Sequence, residues 1–362
     1  MTGAFSGRKL ILKLHLWAGV AASIFLLLIG GSGALLVFET QIDQVLNPKL
    51  ARVTPRGSAL SLAQLKIALE RQYPGYRILE FGISENDDTA YEAYVQPPRG
   101  DGLDIGVDQY TGNALGVWNG ERFMRKVHSF HTHLLAGKTG STIVACSAIF
   151  LLFLSISGLI LWWRAKVFRF NWRASGVKFQ FDLHSTIGVL AFVFLFVFSV
   201  TGLMVHWEDA AGRWAREASH LPAEGPSPHP ETPAPGTVFL DPAQLLAFAQ
   251  AAVPGALPRI IGLPDQPSDP ALVIFKYPED HTPAGRTRVF LDAYTGKILS
   301  LTNSRSAPVA VAYVTRLNRE IHTGDIGGWP SRIIASIASF CLPLLAITGP
   351  LLWWQRRKLG ES

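Results

Sequence analysis

Ten histidines stand in this 362-residue chain, and four of them recur as two pairs in equivalent surroundings. His15 and His184 open long apolar stretches, and His131 and His322 precede two others. An ionisable side chain at membrane depth is costly and points first to function. Neutral imidazole is also a common ligand for iron, copper and zinc. Gly19 and Gly188 follow His15 and His184 by four residues, one helical turn along the same face. Gly33 and Gly202 lie toward the far ends of those stretches, where His131 and His322 are expected. Gly158 and Gly349 lie at the depth of His15 and His184. An imidazole beside a missing side chain suits a flat macrocycle. The pattern predicts two b-type haems, one ligated by His15 and His184, the other by His131 and His322. His133 and His206 are alternates for the second pair, with His128 close by, and a three-histidine metal site is a further option. His220, His229 and His281 read as surface residues. A lone histidine beside a span is ordinarily a capping or interfacial residue, and the doubling is what favours ligation here. No residue is assigned a catalytic role.

Elements that position these residues must cross a membrane. Hydrophobic residues make up 48% of the chain and charged residues 17%, below the quarter typical of soluble domains. Four uncharged runs, Leu16–Phe38, Ser141–Trp163, Ser185–Trp207 and Ile333–Trp354, are each long enough to span as a helix. The first is too long for a secretory h-region and reads as a retained anchor. The expected division is 1–39, N-terminus and span one; 40–140, first outer segment; 141–163, span two; 164–183, short loop; 184–207, span three; 208–332, second outer segment; 333–354, span four; and 355–362, tail. Arg8, Lys9 and Lys13, the loop residues Arg164, Lys166, Arg169, Arg173 and Lys178, and Arg356, Arg357 and Lys358 oppose only Asp182 and Glu361. The short loops and both termini are therefore expected in the cytoplasm. The basic balance is a topology signal, and a nucleic-acid partner has no support. Trp162, Trp163, Trp353 and Trp354 read as interfacial belts, and Pro343 as a kink in span four.

The chain also repeats itself. Leu14–Glu39 matches Leu183–Glu208 at an offset of 169, and His131–Trp163 matches His322–Trp354 at an offset of 191. Each half is helix, outer segment, helix, which predicts parallel repeats about an axis along the membrane normal. Ser61–Gly75 resembles Asp241–Gly255, each opening on a capping box, Ser61 with Gln64 and Asp241 with Gln244. Strand-like runs follow at Tyr76–Ile83 and Ala90–Gln96, and at Arg259–Leu263 and Ala271–Tyr277. A D-x-Y-T-G turn, Asp108–Gly112 and Asp292–Gly296, closes each module. Between Leu221 and Gly236 lies a proline-rich linker.

A helix with AQL and PG, then strands ending in D-x-Y-T-G, resembles the PepSY module. Two such modules among four spans resemble the PepSY-associated transmembrane proteins of bacterial inner membranes, and most of all the haem-containing ferric-siderophore reductases among them. The resemblance implies an α-helical membrane protein plus α+β. Its four transmembrane helices form two parallel helix–PepSY–helix repeats, and its PepSY modules face the periplasm. It implies haem b as cofactor, a ferric siderophore bound between the modules as partner and substrate, and membrane lipid around the spans. No G-x-G-x-x-G follows a strand and opens a helix, so the electron donor is expected to be a quinol, a reduced flavin or a protein. Hydrolase and ATPase motifs are missing too. The competing expectation is a non-catalytic anchored PepSY protein that binds or regulates a peptidase.

Overall fold

A computed structural model describes residues 3–118, 123–165, 176–222, 228–230, 236–358 and 360. Lys166, Arg169 and Arg173 of the short loop, and most of the proline-rich linker, lie outside the described residues.

Along the chain, helices α1 (Gly3–Leu36), α2 (Glu39–Leu46), α3 (Pro48–Ala51) and α4 (Leu62–Gln72) lead into strands β1 (Arg77–Gly82), β2 (Tyr91–Gln96), β3 (Leu103–Val107) and β4 (Ala114–Val117). Next come α5 (Phe123–His133), α6 (Gly137–Ala165), α7 (Gly176–His206), α8 (Glu208–Ala218) and α9 (Pro242–Ala252). Strands β5 (Leu257–Gly262), β6 (Ala271–Lys276), β7 (Thr287–Leu291) and β8 (Ile298–Thr302) follow, then α10 (Val309–Ala312), α11 (Asn318–Thr323) and α12 (Gly328–Lys358). The chain divides into two compact units. A helical unit comprises Met1–Glu39, Phe123–Ala211 and Leu317–Ser362, and a sheet unit comprises Thr40–Arg122 and Gly212–Arg316. The ends of both expected outer segments therefore belong with the helices, because α5 and α11 pack on the bundle.

In the helical unit, α1 packs against α6 and α12, and α7 packs against the same two helices. Thus α1 and α7 face each other across a four-helix bundle. The candidate spans are Gly7–Leu36, Gly137–Trp163, Gly176–His206 and Asp325–Lys358. Only 17–28% of each most apolar window is buried within the protein. A water-soluble bundle would bury its apolar faces; helices that leave theirs outward need lipid, and this is a multi-pass membrane protein. The helices begin earlier than the apolar runs, so His15 lies well inside α1 rather than at its start. Ala22, Leu26, Leu151, Ala191, Leu195 and Leu342 form an apolar layer halfway along the bundle. Gly30 makes room for Pro343 of α12: a Cβ there would come within 2.7 Å of the proline Cδ.

The sheet unit is one antiparallel sheet in the order β4-β3-β2-β1-β5-β6-β7-β8. Its two halves carry the two expected modules, and they meet directly along β1 and β5, where Phe81 opposes Ile261. No gap separates the two strands at this seam. Both capping boxes form, Ser61 with Gln64 and Asp241 with Gln244. They start α4 and α9, whose apolar faces share a single core with the sheet. Asp108 and Asp292 accept the backbone N–H groups of Tyr110 and Thr111, and of Tyr294 and Thr295. Gly112 and Gly296 then take φ of 74° and 72°, which explains the glycine of each turn. Tyr110 and Tyr294 donate to the Asp87 and Pro267 carbonyls, tying each turn to a neighbouring loop.

Candidate functional site

The four paired histidines all lie in the helical unit and all sit in the same local arrangement. His15 of α1 places its Nδ1 2.8 Å from the Ser157 hydroxyl of α6. His184 of α7 places its Nδ1 2.8 Å from the Thr348 hydroxyl of α12. His131 of α5 meets Ser32 of α1 at 3.1 Å, and His322 of α11 meets Thr201 of α7 at 2.9 Å. Each hydroxyl also donates to the carbonyl four residues earlier in its own helix, at Phe153, Leu344, Leu28 and Val197. A hydroxyl has one proton, and here it goes to that carbonyl. The oxygen's lone pair must then accept from the imidazole, which fixes the proton on Nδ1. The tautomer leaves Nε2 as the nitrogen able to carry a lone pair to a metal.

A glycine follows each hydroxyl residue and carries the edge of the ring. A Cβ at Gly33 would come within 3.0 Å of His131 Cε1, and one at Gly202 within 3.1 Å of His322 Cε1. At Gly158 and Gly349 the approach to His15 and His184 is 3.3 Å. These four glycines thus stand where the spacing placed them, but the room they make is taken up by the imidazole edge. Gly19 and Gly188 do not touch the rings. Their nearest contacts are Leu154 and Leu345, at 3.8 Å, because four residues along the helix carry the chain past the ring toward the apolar layer.

Helix geometry explains the two depths. His15 and Gly33 are eighteen residues apart, as are His184 and Gly202, which is five turns at 3.6 residues per turn. Histidine and glycine therefore share one stripe on α1 and on α7, separated by roughly 27 Å of helix. The apolar layer lies between them. At one depth the His131 and His322 rings face across the bundle with centroids 6.5 Å apart. Burial pushes both imidazoles down to about 4, so they are neutral near pH 7. At the other depth stand His15 and His184, on α1 and α7.

The alternates sit elsewhere. His133 Nδ1 is 2.6 Å from the neighbouring Thr132 hydroxyl at the exposed end of α5. His206 packs on Trp207 and lies 3.4 Å from Ser141. His128 is lowered by burial and by nearby Arg319. Among the described residues, no three His, Cys, Asp or Glu side chains gather as a metal cluster. A haem iron needs only two protein ligands, and two imidazole nitrogens at roughly 2 Å from a metal set ring centroids about 6 Å apart. The His131–His322 separation fits that requirement. Ser32, Ser157, Thr201 and Thr348 are functional candidates that the histidine pattern alone does not reveal. Their signal is a Ser/Thr-Gly step occurring once in each of the four uncharged runs.

Residues 12–356 match the family model described as the PepSY-associated TM region. Among curated proteins, none matches the chain.

Proposed function

The chain belongs to the PepSY-associated transmembrane family, and on that premise we propose that it is a di-haem reductase of the bacterial inner membrane that passes electrons to ferric siderophores. The observation that carries this reading is the fourfold histidine–hydroxyl–glycine unit, with His131 and His322 spaced for a shared metal. Haem iron held in this way would supply one-electron transfer at two depths. His15 and His184 would ligate at the cytoplasmic side, and His131 and His322 at the periplasmic side. Each hydroxyl would hold its imidazole in the ligating tautomer. The apolar layer around Leu26, Leu195 and Leu342 would keep water and ions from crossing.

The excess of positive charge in the short loops supports this sidedness, with both termini inside and the PepSY modules outside. The repeats of sequence support a parallel duplication. Siderophore oxygens are hard ligands that hold ferric iron far better than ferrous iron, so one electron suffices to loosen the cargo. The donor is a quinol, a reduced flavin or a protein.

The test uses sealed vesicles whose orientation is set by labelling Ser175→Cys and Ser227→Cys with an impermeant reagent. A reductant confined to the cytoplasmic face is expected to reduce a ferric chelate on the other face. His131→Ala and His322→Ala are expected to stop that transfer. Equal reduction by vesicles of the double variant would contradict the reading.

A further inference from the structure

One of the four imidazoles has a second acceptor. His15 and His184 each bond one hydroxyl, of Ser157 and Thr348. His131 shares its Nδ1 proton between the Ser32 hydroxyl at 3.1 Å and the Ile29 carbonyl at 3.0 Å. His322, like His15 and His184, bonds one hydroxyl, that of Thr201. A stronger pull on the Nδ1 proton makes the opposite nitrogen a more basic ligand. A more basic axial ligand favours the ferric state and so lowers the reduction potential.

Resting on the two-haem reading, we propose that Ser32, Ser157, Thr201 and Thr348 are positioning residues for the iron ligands, and that the Ile29 carbonyl makes the His131–His322 site the lower in potential. Arg319 acts the other way, since a cation near the site opposes the oxidised iron. It lies exposed on α11, where water and salt screen it. The resulting order places the stronger reductant at the exit side, where a ferric chelate held by hard oxygens must accept the electron. The uphill step from His15–His184 is favoured by the inside-negative membrane potential, which drives electrons outward.

The experiment is a potentiometric titration of the purified holoprotein, with haem retention measured alongside. The wave lost in His131→Ala or His322→Ala is expected to be the lower of two. Ser157→Ala and the near-isosteric Thr348→Val remove the only acceptor at their site, and haem affinity there is expected to fall by about 10–100-fold. Ser32→Ala leaves the Ile29 carbonyl in place for His131, so haem should stay bound there at its low midpoint. Equal losses at both sites, or a higher midpoint at His131–His322, would overturn the inference and leave the two-haem reading standing. A folded wild-type protein without haem would overturn that reading itself.

Discussion

Gly33 and Gly202 hold the tightest contacts in the arrangement, with no room for a methyl group against His131 and His322. Gly33→Ala and Gly202→Ala are expected to push those rings by a few tenths of an ångström and to lower haem occupancy at that site. Gly19→Ala and Gly188→Ala place a methyl in ordinary contact with leucines. They should keep full haem content and gain up to about 1 kcal/mol of helix stability each. Haem content and thermal unfolding of the four variants check this, and loss of haem from Gly19→Ala would show that its missing side chain makes room for the macrocycle. The histidines were legible because a repeated ionisable residue in an apolar stretch stands out. The hydroxyls were not, because serine and threonine are unremarkable in membrane helices, where they ordinarily bond their own backbone. Only the structure shows that each such bond leaves one lone pair for a histidine on another element.

At the scale of elements, the two modules were legible as modules: the capping boxes, strand positions and D-x-Y-T-G turns fall where the residues place them. Their union into one sheet was not legible. Pairing between β1 and β5 uses backbone groups, and backbone groups leave no residue signature. The short helices α5 and α11 were also missed, since apolar length finds spans but not the turns that dock on their ends. The seam has a testable consequence. Phe81 is fully buried in a core that spans both halves. Phe81→Ala should cost about 3–5 kcal/mol. Hydrogen exchange should show protection lost together in β1–β4 and β5–β8. Loss confined to the first half would mean that the modules fold as separate units.

For the whole molecule, lipid-facing helices and the family match establish a multi-pass membrane protein. What the bundle carries is the central claim, and it rests on four half-buried histidines whose Nδ1 protons are all spoken for. The measurement that tests it most directly is the absorption spectrum, with haem content per chain, of protein purified from haem-replete cells. The account predicts a red protein with low-spin bis-histidine spectra and two haems per chain, falling to one in His184→Ala and to one in His322→Ala. A folded, colourless preparation would contradict it.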